Sequence, residues 1–384
     1  MKRDTILTLK LPRGSALEDY PVREPKQFKK PAGPFTRIAY AAAHVVADPR
    51  SAKEPWLDAA IDWDATIAYR RHLSSWGFGI AEAMDTAQRG MGLDWTNSLE
   101  LIRRTLESVP HARVVSGAGT DHLQGSASIS EVISAYEMQC AAIEKLGGRI
   151  ILMASRTLAA SAKAPDDYAK VYDRILGQVK QPVIIHWLGE MFDPALKGYW
   201  GTEDHYAAMD VCLGVLEKNK SKIDGIKISL LDKDKEIAMR RRLPKGVRMY
   251  TGDDFNFAEL IEGDAQGYSD ALLGIFDSIA PAASQALTFL SQNDKKNYHD
   301  TLAPTVPVSR HIFKAPTRFY KTGIVFMAWL NGHQDHFVMV GGQQSARNVL
   351  HFAELFRLAD AAGLLSDPEM ACRRMKQLLS VHGI

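Results

Sequence analysis

The chain has 384 residues, 46% of them hydrophobic and 24% charged, with 47 Lys and Arg against 45 Asp and Glu. That apolar fraction is enough to bury a large core and excludes a disordered chain, and a formal charge of +2 supplies no basic stripe to neutralise phosphates, so no nucleic-acid partner is implied. At roughly 150 residues per domain the length admits two or three domains, but α/β barrels run well past that as one unit, so length leaves the count open.

The N-terminus lacks a continuous apolar h-region, and no apolar run reaches the ~18 residues needed to cross a bilayer. The expectation is a soluble, cytoplasmic protein with no membrane partner. Cys140, Cys212 and Cys372 lie far apart without a C-x-x-C, which fits a reducing compartment and argues against a disulfide framework or structural zinc. Residues 1–34, with Pro12, Pro21, Pro25, Pro31 and Pro34 and the basic Lys26, Lys29 and Lys30, read as an irregular extension along the surface.

From residue 35 short β-rich runs alternate with longer amphipathic stretches. The runs are 37–46, 78–84, 112–116, 149–153, 182–187, 224–228, 247–251 and, less sharply, 267–273. Helices are predicted over 95–109, 130–146, 166–179, 202–218 and 232–242, with start signals at Thr96, at Ser128 and Ser130, and at Thr202 ahead of Glu203 and Asp204. Strands alternating with helices of this length require right-handed parallel crossovers, and eight such units in succession predict a closed (β/α)₈ TIM barrel over residues 35–280. A doubly wound dinucleotide fold would need a G-x-G-x-x-G turn after the first strand, where this chain has Ala42-Ala43-His44-Val45-Val46. Residues 281–384 lose the strand signal and predict a helical layer through 282–290, 317–330, 345–362 and 368–381. Within it the aromatic stretch 313–320, with Arg318 and Lys321, reads as core packing with an interface role, and Gly332-His333-Gln334-Asp335-His336 reads as a solvated loop.

In such a barrel the reactive groups sit at the C-terminal strand ends. Read in order, these positions offer His44; Glu82, Asp85 and Thr86; Ser116, Thr120, Asp121 and His122; Ser155 and Arg156; His186 and Glu190; Lys227 and Ser229; and Thr251, Asp253 and Asp254. Lys227 stands out because Asp224-Gly225-Ile226-Lys227-Ile228 embeds an ammonium in an apolar strand. Desolvation favours a neutral amine, which can attack a carbonyl to form an imine; the competing structural use is a core ion pair with Asp253 or Glu82. Asp253 and Asp254 can bind substrate hydroxyls or cap the following helix.

The run Gly225-Ile226-Lys227 followed by Ser229 resembles the Schiff-base strand of the dihydrodipicolinate synthase and N-acetylneuraminate lyase family of class I aldolases. Thr251-Gly252-Asp253-Asp254 is similar to that family's seventh-strand G-D-D turn, and Gly267-Tyr268-Ser269 with Ala280-Pro281 to its G-x-x-S…A-P segment. Asp85-Thr86-Ala87-Gln88-Arg89 falls where the family has G-T-T-G-E, Val115-Ser116-Gly117-Ala118-Gly119 resembles its third-strand turn, and Pro182-Val183-Ile184-Ile185 the start of its fifth strand. The ordered set spans about residues 36–365.

By their strand-end positions Glu82 offers a further acid/base group and Ser116 and Ser155 offer hydrogen-bond donors to a substrate, and the resemblance implies a lyase in which Lys227 forms the imine, with Thr86, Gly252 and Asp253 binding the substrate. It implies no cofactor and no metal, a small carbonyl compound as partner (a 2-keto acid or keto sugar), and a homodimer or homotetramer. The chain departs from the family where His186 aligns with the proton-relaying tyrosine, Ala87 with the second carboxylate-binding Thr and Arg89 with the motif's Glu, and where no Arg follows the fifth strand. Dihydrodipicolinate synthase activity itself is therefore not expected. Imidazole can shuttle a proton at neutral pH, which leaves His186 able to serve in the tyrosine's place. Two alternatives stay open: a metal-dependent barrel lyase or isomerase with Glu82 and His186 as ligands, and a barrel that binds ligands without catalysis.

Overall fold

In the computed structural model, which describes residues 7–85, 88–123 and 125–384, the alternating pattern resolves into ten strands. Two form an N-terminal antiparallel hairpin, β1 (Thr8–Arg13) and β2 (Ala16–Pro21). The other eight, β3 (Ala39–Ala42), β4 (Gly79–Glu82), β5 (Val114–Ala118), β6 (Arg149–Leu152), β7 (Val183–Leu188), β8 (Ile223–Ser229), β9 (Arg248–Thr251) and β10 (Asp270–Leu273), close in sequence order into a parallel barrel, with β10 pairing β3. The TIM barrel expected from the sequence is the fold. The segment expected to be irregular differs: Leu9 and Leu11 alternate with exposed neighbours and are buried, Gly14 turns the chain at φ +59°, and the hairpin results.

Both faces of the barrel wall are buried, as all-parallel sheets require. Outward residues such as Ile80, Ile150, Ile185, Ile226 and Met249 pack under the surrounding helices, while Tyr40, Ala42, Ala81, Val115, Ile151, Met153, Ile184, Tyr250 and Leu272 fill the interior. Two glycines make room for the interior tyrosines. A Cβ at Gly79 would lie 2.5 Å from the Tyr40 ring and one at Gly225 2.6 Å from that of Tyr250, and the two rings sit 6.0 Å apart. These rings fill the N-terminal half, leaving the C-terminal half to the polar side chains.

Carboxylates cap several of the helices. Asp94, rather than Thr96, caps the helix Trp95–Ser108, and Asp204, rather than Thr202, caps His205–Lys218, while Ser128 and Glu131 form a reciprocal capping box. After the barrel come the helices Ala280–Ser291, Lys295–Leu302, Val306–Ile312, Tyr320–Leu330, Val349–Ala362 and Pro368–Val381. Tyr320–Leu330 is buried at every position, as its nearly all-apolar sequence demands. The N-terminal hairpin docks on Val349–Ala362: Arg357 donates to the carbonyls of Leu11 and Pro12, and Tyr20 Oη donates to Asp360 at 2.6 Å. Among the described residues no helix is long and apolar enough to cross a membrane.

One buried acid on the barrel's outer surface makes stability pH-dependent. Glu236, on the helix Lys233–Arg240, accepts from Ser269 Oγ at 2.6 Å and Thr251 Oγ1 at 2.9 Å, and burial pushes its carboxyl from 4.5 up to about 8 against those two donors. The folded chain therefore holds a proton there that the unfolded chain releases, so this contribution is complete below about pH 4.5 and is lost as pH rises through about 8. In thermal melts Tm should fall between pH 5 and pH 8.5 more steeply for the wild type than for Glu236→Gln; parallel slopes would contradict this.

Candidate functional site

β7 and β8 pair in a register that sets His186 directly beside Lys227, both pointing into the barrel from its C-terminal half. Each is buried, at 2% and 6% exposure. His186 Nε2 lies 3.1 Å from Ser229 Oγ, one inward position above the lysine, and its Nδ1 has no partner among the described residues. Burial, and then the charge of Lys227, hold the imidazole well below its ordinary value, so it is neutral at pH 7. Gly252, just past the end of β9, leaves space for the lysine stem: a Cβ there would come within 2.7 Å of Lys227 Cε and 2.3 Å of Ser229 Oγ.

Among the described residues the Lys227 amine has no hydrogen bond and no carboxylate within 4.0 Å. Burial lowers it from 10.5 to about 8, opposed by the more distant Asp254 and Asp85 and assisted by the charge of Lys321. Asp254 accepts from the Ile275 amide at 2.8 Å, and burial raises its carboxyl to about 7.

The other charges at this end of the barrel are tightly paired. Lys321, 1% exposed, donates to the Ala42 carbonyl at 2.6 Å and ion-pairs with Asp85 at 2.8 Å and Asp277 at 3.8 Å. Tyr320 Oη donates to Asp85, and Asp277 holds His44 Nδ1 at 2.9 Å. Burial works to raise Asp277, but His44 and Lys321 hold it well below the carboxylate range. Above them Tyr320 stacks on Phe313 at 4.3 Å with Phe192 edge-on at 6.0 Å, closing part of the mouth with aromatic rings.

A cavity of about 160 Å³ is lined by residues that follow β4 to β7, none of them from this cluster. Arg89, Thr120, Ser155, Arg156 and Asp193 supply its polar edge. Ser155 also bonds Thr120 Oγ1 at 2.6 Å and caps the short helix after β6, while Arg156 Nε ion-pairs with Asp193 at 2.5 Å. The expected residues Lys227, His186 and Gly252 thus come together, while Ser155 lines the separate cavity after β4 to β7.

Three expectations are corrected. Glu82 faces outward and is fully buried in a bidentate pair with Arg70 at 2.8 and 2.9 Å, also accepting from Thr105 Oγ1 at 2.6 Å. Ser116 alternates with inward Val115 and so lies outside the barrel, buried with its hydroxyl unpartnered. Asp253 accepts from the Phe255 and Asn256 amides and from Asn256 Nδ2, which uses it as a turn cap and leaves Asp254 as the carboxylate toward Lys227. Thr86 lies outside the described residues. The other His and carboxylate groups at these strand ends also diverge: Asp121 pairs with Arg89, His122 with Gln139 and Glu190 with His205, and among the described residues no three His, Cys, Asp or Glu groups converge on one point.

Tyr320 and Lys321 were read as packing. Their signal resembled that of Lys227, a charge at the head of an otherwise apolar segment, but their place on a helix beyond the barrel hid the connection.

Residues 9–384 match the family model described as a protein of unknown function, DUF993. The chain belongs to the DUF993 family. A comparison with curated proteins finds no match. Solved structures similar to this DUF993 chain include dihydrodipicolinate synthase from Aquifex aeolicus, at 12% identity and TM-score 0.66, covering 86% of this chain and 99% of that one. A prophage protein of the dihydrodipicolinic acid synthase family from E. coli K12, in complex with pyruvate, aligns with the same identity, TM-score and coverage. Chloride-inhibited dihydrodipicolinate synthase from Acinetobacter baumannii, complexed with pyruvate, aligns at 16% identity and TM-score 0.60, covering 85% and 99% of the two chains. At these identities the likeness shows the fold.

If Glu82 serves only the wall, Glu82→Gln should destabilise the protein by about 3–5 kcal/mol, the usual effect of leaving a buried partner such as Arg70 uncompensated. Denaturant titration checks this, and an unchanged midpoint would contradict it.

Proposed function

We propose that this barrel is a Schiff-base-forming lyase of class I aldolase type, acting on a 2-keto acid or keto-sugar compound, with Lys227 as nucleophile. The observation that carries the reading is the unpaired, buried Lys227 amine beside the neutral His186. The order of the sequence motifs and the likeness of fold to the dihydrodipicolinate synthase structures support it.

The chemistry follows from the charges. An amine near 8 is partly neutral at pH 7 and its lone pair attacks the substrate carbonyl carbon. The C–N bond forms, the carbonyl oxygen takes up protons and leaves as water, and the resulting iminium draws electrons from the adjacent bond. When that bond breaks, its electron pair enters the enamine, and protonation at carbon followed by hydrolysis frees the product and Lys227. His186, with Nδ1 unpartnered and Nε2 on Ser229, takes the proton released from a substrate hydroxyl and returns it. The hydroxyls of Thr120 and Ser155 and the guanidinium of Arg156 line a cavity suited to the polar remainder of a hydroxylated substrate.

Borohydride reduction in the presence of pyruvate, 2-keto-3-deoxy sugar acids and dihydroxyacetone, with peptide mass mapping, tests this directly. A stable adduct on Lys227, absent in Lys227→Met, is expected; an adduct on another lysine, or none, would overturn the reading. His186→Asn should keep the adduct but slow turnover of the substrate so found by about 10²–10⁴-fold. Adduct yield should climb with pH through about 8 as the amine loses its proton, and a profile flat from pH 6 to 10 would contradict the role of burial.

A further inference from the structure

The C-terminal helix Tyr320–Leu330 inserts a second lysine into the barrel mouth. The two ammonium groups are treated in opposite ways. Lys321 is held by a strand-end carbonyl and two carboxylates, whereas Lys227 has no partner within bonding distance among the described residues. Asp85 makes the difference, since it follows β4 on the same face, acts on both lysines and gives its short contact to Lys321. Tyr320 donates to the same carboxylate and occupies a further lone pair. Were Asp85 free to turn to Lys227, it would form the buried ion pair that makes a lysine inert as a nucleophile.

We propose that Lys321 is a positioning residue for imine formation: its ammonium engages Asp85 and withholds that carboxylate from Lys227, leaving the Lys227 amine free to attack. The inference rests on the Schiff-base reading of the site. It gives the helical region a part in the chemistry, because the barrel alone supplies Asp85 without the cation that occupies it. A similar logic explains why Lys321 is buried at all, as an ammonium 1% exposed carries a desolvation cost that packing alone could have avoided with an apolar residue.

The charged groups that act on Lys227 are Asp254 after β9, Asp85 after β4 and Lys321 on the helix, with Asp277 and His44 behind Lys321; His186 on β7 faces it as a neutral imidazole. Removing the Lys321 charge acts on Lys227 in one direction twice over. It deletes a like charge and releases an opposite one, and both favour the ammonium form.

The test is the pH dependence of borohydride trapping with pyruvate, or with whichever keto compound of the panel above labels Lys227, measured on the full chain. Lys321→Met, close in length and uncharged, should move the trapping midpoint up by at least one pH unit, giving about tenfold less adduct at pH 7. Lys321→Arg should keep the midpoint within about half a unit of the wild type. Asp85→Asn should lower the midpoint, and the double variant Lys321→Met with Asp85→Asn should return toward the wild type, a rescue that a merely structural lysine would not show. A folded Lys321→Met protein with an unmoved midpoint overturns the inference while leaving the Schiff-base reading intact. Should Lys321→Met fail to melt cooperatively, Asp85→Asn alone decides, and an unmoved midpoint there overturns the proposal. A wild-type protein that gives no adduct with any of the compounds overturns the Schiff-base reading and the inference with it.

Discussion

An ammonium group inside an apolar barrel wall is the constraint on which the C-terminal end of this barrel depends. Taking a charge out of water costs several kcal/mol unless it is paired, neutralised or metal-bound. The wall solves this problem in three ways. Arg70 and Lys321 are paired with carboxylates, His186 is neutral, and Lys227 has no bonding partner among the described residues and is shifted low by burial. The first two solutions stabilise a fold. The third leaves a buried amine with no bonding partner among the described residues, and its neighbours keep it so: Gly252 clears the space, Ser229 holds the imidazole, and Asp85 is engaged by Lys321.

The architecture was legible because parallel βα units leave a simple trace, an apolar run and then an amphipathic stretch, and eight of them occur in order. What could not be read was which face each strand residue takes. In an antiparallel sheet with one wet face, alternation of apolar and polar residues fixes the register; here both faces are buried, and the period-2 signal disappears. Glu82 and Lys227 are each a charge in an otherwise apolar strand, yet one points out to Arg70 and the other inward. Ser116 was misplaced by the same one-residue ambiguity, and the sequence left open which of Asp253 and Asp254 would cap, because turn geometry beyond the strand end decides which of two adjacent carboxylates looks inward.

The C-terminal region was legible as helices but not as part of the site. Lys321 meets Asp85 across 236 positions of chain, a contact set by helix packing and not by any local pattern. The aromatic run ending at Tyr320 had the composition of a core segment, and it is one, but the core it joins is the covered mouth of the barrel. This arrangement accounts for a chain longer than a barrel requires. The added helices contribute side chains as well as shelter, and the N-terminal hairpin braces the helix Val349–Ala362 of that same layer.

The protonation of a single amine decides between a structural and a reactive lysine. The most direct measurement is an NMR titration of protein carrying ¹³C-labelled lysine ε-carbons, with the Lys227 resonance assigned by its absence from Lys227→Met. The expected result is a midpoint near 8, with Lys321 visible as a separate resonance; a Lys227 that stays protonated beyond pH 10 would contradict the claim that burial without a partner prepares it for attack.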